Sequence, residues 1–134
     1  LTPPLDRVEP ADRELFELCL RIGDTTLVLG HRLSEWASNG PTLEEDIALS
    51  NIALDLLGQA RVALTHAGEV EGAGRDEDAL AYLRDAADYR NLLLVEQPNG
   101  DFATTMLRQF LYDAAAVERW QALSASLDET LAGL

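Results

Sequence analysis

Residues Leu15, Leu18, Cys19, Ile22, Thr26, Leu29, Leu33 and Trp36 recur with a 3.6-residue period and predict one long helix with a broad buried stripe. Glu9-Pro10 opens it, and Asp12 and Glu14 suit its positive end. Gly23, Gly30 and Ala37 recur every seven residues beside the stripe, spaced to let a second helix approach closely. Asn39-Gly40-Pro41 is a strong stop, so the helix is expected over residues 10–38.

Thr42 and Glu45 then have capping-box spacing and start a second helix, expected over residues 43–67. The glycines at 68, 72 and 74 read as its end and as a flexible connector. Asp76 can cap a shorter helix near 77–86, and "YRNLLLVEQ" reads as a short apolar helix or turn ending at Pro98-Asn99-Gly100. Asp101 caps a third long helix, expected over residues 101–126. No stretch alternates with β-branched enrichment, so the expected fold class is all-α.

Two long helices joined by a short Gly-Pro turn form an antiparallel hairpin, and a third packs on it. That is an up-down bundle, incomplete with three long helices. On the second helix Leu49, Ile52, Leu56 and Ala60 share one side while Ile47 and Leu54 fall well away from it. A helix apolar on two sides wants two neighbours. The extra cover is expected from more chain, another subunit or self-association into a dimer.

Composition narrows the chemistry. The net charge is −14 and all ten basic residues are arginines. Such a chain repels phosphate backbones, so nucleic acid is not an expected partner. Without lysine there is no Schiff base and no P-loop. No uninterrupted apolar run approaches the roughly 18 residues of a membrane span. The single Cys19 excludes an internal disulfide, lies among Leu18, Leu20 and Ile22 as a packed thiol would, and suits a reducing cytoplasm.

Helical bundles hold metals on inward carboxylates and paired Glu-x-x-His motifs. Here Val28 precedes His31 and Ala63 precedes His66 at the glutamate spacing, and Gly58 follows Asp55 at the histidine spacing. The imidazoles of a di-iron centre are therefore missing. Asn51, Asp55, Gln59 and His66 share one narrow stripe, either a solvated strip or a polar strip turned inward. Asp24, His31 and Glu35 share a face of the first helix, with His31 and Glu35 spaced as a surface pair. Asp113 lies on the wheel among Phe102, Met106, Phe110, Val117 and Trp120. An ionised carboxylate in such a stripe needs a partner, and Arg61 is a candidate donor. Nothing resembles Gly-x-Ser-x-Gly, and "GEVEGAG" lacks the strand-before, helix-after context of a nucleotide loop.

Three stretches, "LRIGDTTLVLGHRLSEW", "EEDIALSNIALDLLGQAR" and "NLLLVEQPNGDFATTMLRQFLYDA", carry a family resemblance. In order and spacing, from about Leu15 to the end, the chain resembles the phenylacetic acid degradation proteins that form the C subunits (PaaC) of bacterial phenylacetyl-CoA epoxidases. The resemblance implies a ferritin-like helical bundle in a multicomponent monooxygenase. There a related A subunit carries the di-iron centre, and a reductase delivers electrons from NADPH. The C subunit is the non-catalytic partner, with no cofactor of its own and no catalytic residues. Asp24, Asp55, Gln59 and Asp113 would then be a vestigial polar centre, carried over by helix position. Family members run on beyond "SLDETLAGL", so the 134 residues are expected to be one helical domain that is a fragment of a longer subunit. Two rival readings are an autonomous di-iron oxidase and a stand-alone acidic helical binding module.

Overall fold

The computed structural model describes residues 9–134. The element order is α1 (Pro10–Ser34), α2 (Leu43–Glu71), α3 (Glu77–Tyr82), a 3-10 turn (Ala86–Asp88), α4 (Leu93–Glu96), α5 (Phe102–Leu123) and α6 (Glu129–Ala132). No strand occurs among the described residues.

The first two helices form the expected hairpin, and small residues set its closeness. A Cβ at Gly23 would sit 2.7 Å from Leu64 of α2, and one at Gly30 would sit 3.3 Å from the Ala53 carbonyl. Ala37, the third member of the heptad series, lies beyond the helix. α1 ends at Ser34 rather than near 38 because Ser38 takes a left-handed conformation at φ 66°. Its N–H donates to both carboxylate oxygens of Asp46, at 2.9 and 3.0 Å, so the first turn of α2 draws the chain out of the helix early.

α1 is the central helix. Every residue from Ile22 to Leu27 is buried, including Asp24, Thr25 and Thr26. α1 packs against α2 and α4, and Tyr112 and Ala116 of α5 and Leu131 of α6 join core clusters with residues of α1 and α2. Thr26 manages its burial locally, donating its hydroxyl to the Ile22 and Gly23 carbonyls.

α2 starts at the Thr42 cap, which accepts the Glu45 N–H, and runs past Gly68 to Glu71. Gly68 is a contact point rather than a breaker. A Cβ there would meet the Arg75 carbonyl at 2.2 Å, so only glycine admits the returning chain. The helix stops four residues later, at Gly72 with φ 65°. By length and composition α2 could cross a membrane, a property shared by helices of packed bundles. Its Leu49, Ala53, Leu56, Ala60, Ala63, Leu64 and Ala67 are buried, whereas Ile47 and Leu54 are 53% and 66% exposed. The two-sided apolar character of this helix is real, and within the described residues only one side is covered.

Asp76 and Asp101 cap α3 and α5 as expected, accepting the Ala79 and Thr104 N–H groups at 2.8 and 2.7 Å. The short helix α6 was not expected from the sequence. Asp128 caps it, accepting the Leu131 N–H at 3.0 Å, and Leu131 plugs the core beneath.

The inward face of α5 corrects the sequence expectation. Thr105, Arg108, Gln109, Tyr112 and Ala116 are buried, Phe102, Met106 and Trp120 are half-buried, and Phe110 and Val117 are 68% and 53% exposed. The helix is rotated away from its most apolar stripe. Trp36, just past the end of α1, donates its indole N–H to Thr105, and Arg108 is held by the loop before the helix. Those bonds turn the Thr105–Arg108–Tyr112 side toward the core.

Candidate functional site

The most enclosed charged residue in the described structure is Asp24, on the central helix with no exposed surface. Both its oxygens are engaged. The Arg84 guanidinium grips the carboxylate with both terminal nitrogens, and the Arg90 backbone N–H donates to it at 2.8 Å. The Arg84 guanidinium is itself largely enclosed, with 4% of its side chain exposed. It donates further to the Leu80 and Asp88 carbonyls, and its guanidinium carbon lies 4.5 Å from the Tyr89 ring centre. Tyr89 donates its hydroxyl to the Ala81 carbonyl, and burial raises its pKa while Arg84 opposes the rise. One residue on, Thr25 accepts the Leu92 N–H at 3.2 Å. Asp24 and Thr25 thus pin the whole 84–92 segment to α1.

A second junction fixes the loop after α4. Asn99 donates to the Arg32 carbonyl at 2.8 Å and to the Glu35 carboxylate at 2.9 Å. Its own side-chain oxygen accepts from Arg108 at 2.8 Å, and its backbone carbonyl accepts the Thr105 hydroxyl at 2.9 Å. Arg32 donates to the Glu96 carbonyl and pairs with Glu35. Burial, then the proximity of Arg32, lowers the Arg108 pKa. This locked loop is the "EQPNG" portion of the third resembling stretch. His66 makes a third junction, meeting Asp128 at 2.9 Å and so tying α2 to the cap of α6.

The residues proposed from sequence have separate fates. Asp24 is buried and fully paired. Asp55 is exposed on α2 and takes no hydrogen bond or ion pair among the described residues. Gln59 is half-buried, with its side-chain oxygen enclosed and lacking a donor. Asp113 is exposed rather than sunk in a covered apolar stripe, because α5 is rotated. Its donor is Gln109, at 2.9 Å, and not Arg61, which pairs with Glu77. Partial desolvation nevertheless raises the Asp113 pKa, with the Gln109 bond opposing. At the C-terminal cap of α1, Glu35 pairs with Arg32 rather than with His31. Cys19 is fully buried as expected, and burial pushes its pKa up to about 12.

This donor set does not suit a di-iron centre. A guanidinium occupies the position on Asp24 that a bound cation would need, and no three or more His, Cys, Asp or Glu among the described residues gather into a metal-binding group. What the arrangement does chemically is to fasten loops. Arg84, Arg90, Asn99, Arg108 and Asp128 carry that task and were missed from sequence. One signal was available: with only ten basic residues in a chain of charge −14, the possible partners of a buried acid were few, and Arg84 was among them.

Comparison with known proteins adds what side-chain geometry does not hold. A family model described as "Phenylacetic acid catabolic protein" matches residues 2–134. The chain is 52% identical over 121 residues to the C subunit of the 1,2-phenylacetyl-CoA epoxidase of Escherichia coli (strain K12), an alignment covering 90% of this chain and 48% of that relative. The chain therefore spans about half the length of the curated relative it matches. The all-helical fold agrees with the ferritin-like bundle that the resemblance implied.

Proposed function

The chain belongs to the phenylacetic acid catabolic protein family, and on that premise we propose that it is a non-catalytic, structural subunit of a phenylacetyl-CoA epoxidase. In this reading it holds no metal and supports a related di-iron subunit that performs the ring epoxidation in aerobic phenylacetate catabolism. The observation that carries the non-catalytic part is the Asp24–Arg84 pair. The fully buried carboxylate of the central helix is neutralised by a protein cation and used to fix a loop. Of the four residues expected to form a vestigial polar centre, Asp24 alone is buried and paired; Asp55 and Asp113 lie exposed, so the four do not share a common centre. The reading also puts the protein in the cytoplasm, where the free thiol of Cys19 persists.

The test is reconstitution. Phenylacetyl-CoA epoxidation is measured with the cognate A subunit and reductase, with and without this chain, beside elemental analysis of the chain alone. The expected result is less than roughly a tenth of an equivalent of tightly bound iron, no turnover by the chain alone, and a rise in turnover when it joins the A subunit. Two tightly held irons per chain, or turnover without the A subunit, would sink the reading.

A further inference from the structure

Two asparagines, Asn39 and Asn99, are each followed by glycine, in the loops after α1 and before α5. Asn-Gly is the dipeptide most open to one internal reaction. The glycine backbone nitrogen attacks the side-chain carbonyl carbon of the asparagine, and a five-membered succinimide closes. The new C–N bond replaces the bond to the side-chain nitrogen, which leaves as ammonia with the proton shed by the attacking nitrogen. Water then opens the ring at either carbonyl, giving aspartate or isoaspartate, with no oxidant or cofactor. Glycine favours the attack because no Cβ shields its nitrogen and its backbone turns freely. The step demands an asparagine side chain and a following peptide group that can both reorient.

The fold treats the two pairs oppositely. Asn99 is half-buried, and its side-chain nitrogen donates to the Arg32 carbonyl at 2.8 Å and the Glu35 carboxylate at 2.9 Å. Its side-chain oxygen accepts from Arg108 at 2.8 Å. Its backbone carbonyl, in the same peptide group as the Gly100 nitrogen, accepts the Thr105 hydroxyl at 2.9 Å. Electrophile and nucleophile are therefore both held. Asn39 is exposed, and its side-chain nitrogen donates to the Glu35 and Ala37 carbonyls, at 3.4 and 3.2 Å, in the turn just before it. We propose that Asn39-Gly40 is a site of spontaneous deamidation that loosens the α1–α2 turn, and that the Asn99 junction keeps the identical pair at 99–100 unreactive. The turn is sensitive because of what lies against it. A Cβ at Gly40 would meet the backbone nitrogen and Cα of Asp46 at 3.1 Å, and the Asp46 carboxylate holds the Ser38 N–H. Isoaspartate lengthens the main chain by one methylene there, and either product adds a negative charge to this already acidic turn.

The purified chain is incubated in mildly alkaline buffer, well below its unfolding temperature, beside the same chain in urea. Tryptic peptides are then followed by mass spectrometry. Cleavage after arginine puts Asn39 in residues 33–61 and Asn99 in residues 91–108. In the folded chain the first peptide should gain the mass of an Asn-to-Asp change at least roughly tenfold faster than the second, because the bonds on Asn99 must break before its ring can close. In urea the two should react at similar rates. Asn39→Gln should suppress the gain in residues 33–61, since its longer side chain closes a six-membered ring far more slowly. The deamidated form, separated by anion exchange, should melt lower than the intact chain. Equal rates in the folded chain, faster reaction at Asn99, or no gain at Asn39 would overturn the assignment. A deamidated form that melts with the intact chain would overturn the loosening of the turn.

Discussion

Removing the carboxylate at Asp24 should be among the most damaging single changes this chain can suffer. Asp24→Ala leaves Arg84, with 4% of its side chain exposed, as a charge without its counter-ion, and it strips the Arg90 N–H of its acceptor. Breaking a buried pair from one side costs roughly 3–5 kcal/mol, and a stranded backbone donor adds about 1–3 kcal/mol where it stays dry. The two overlap, because water that reaches one relieves the other, so we expect a loss of about 4 kcal/mol. Against a typical domain stability of about 5–15 kcal/mol that is a large fraction. With a urea slope near about 2 kcal/mol/M, the unfolding midpoint should fall by about 2 M. Asp24→Leu combined with Arg84→Met should recover much of the loss, since an apolar pair of similar volume replaces a buried ion pair at little cost. Asp55→Ala and Asp113→Ala serve as controls and should stay within about 0.5 kcal/mol of wild type. If Asp24→Ala unfolds within about 1 kcal/mol of wild type, the clasp is not what holds residues 84–92.

Three further outcomes are expected. Gly68→Ala should destabilise by about 1–3 kcal/mol in thermal unfolding despite better helix propensity, because its Cβ would lie 2.2 Å from the Arg75 carbonyl, whereas Gly58→Ala should stabilise by up to about 1 kcal/mol. Native Cys19, with its pKa pushed up to about 12, should resist iodoacetamide at about pH 8 and react only on denaturation; rapid native labelling would contradict its burial. The Asp128 pKa is lowered below 3.8, first by the Leu131 N–H and further by His66. A depressed carboxyl contributes stability above its unfolded pKa and loses it as pH falls through the folded value. Between about pH 5 and pH 2.5, Asp128→Asn should therefore lose less urea resistance than wild type, and equal losses would show that Asp128 does not contribute.

The α1–α2 hairpin was legible in the sequence because its signals are local. Thr42, Asp76 and Asp101 each satisfy a backbone N–H within the first turn that follows, and the small residues at 23 and 30 mark close approach whatever else surrounds them. The same holds for the two-sided apolar pattern of α2, which follows from about 100° per residue alone. Helix ends were less legible where a distant group decides them. Ser38 leaves α1 because Asp46 captures its N–H, and Gly68 continues α2 because the chain returns over it at Arg75.

Which side of a helix turns inward is a property of its neighbours, and here the sequence misled. The wheel of α5 puts Phe110 and Val117 in its most apolar stripe with Asp113 among them. Yet bonds from Trp36 and Asn99 fix Thr105 and Arg108 against the core and leave that stripe outside. Hydrophobicity is non-directional and tolerates a rotation of the helix, whereas a buried hydrogen bond has one geometry and exacts a penalty when unmade. The partner of Asp24 was hidden for a related reason. Arg84 lies 60 residues away, in a segment with little regular structure, and only the folding of that segment back onto α1 brings guanidinium and carboxylate together. Local chemistry in the sequence determined where helices begin and which faces are apolar. The tertiary structure decided which acid is buried, because burial depends on atoms that are neighbours in space and remote along the chain.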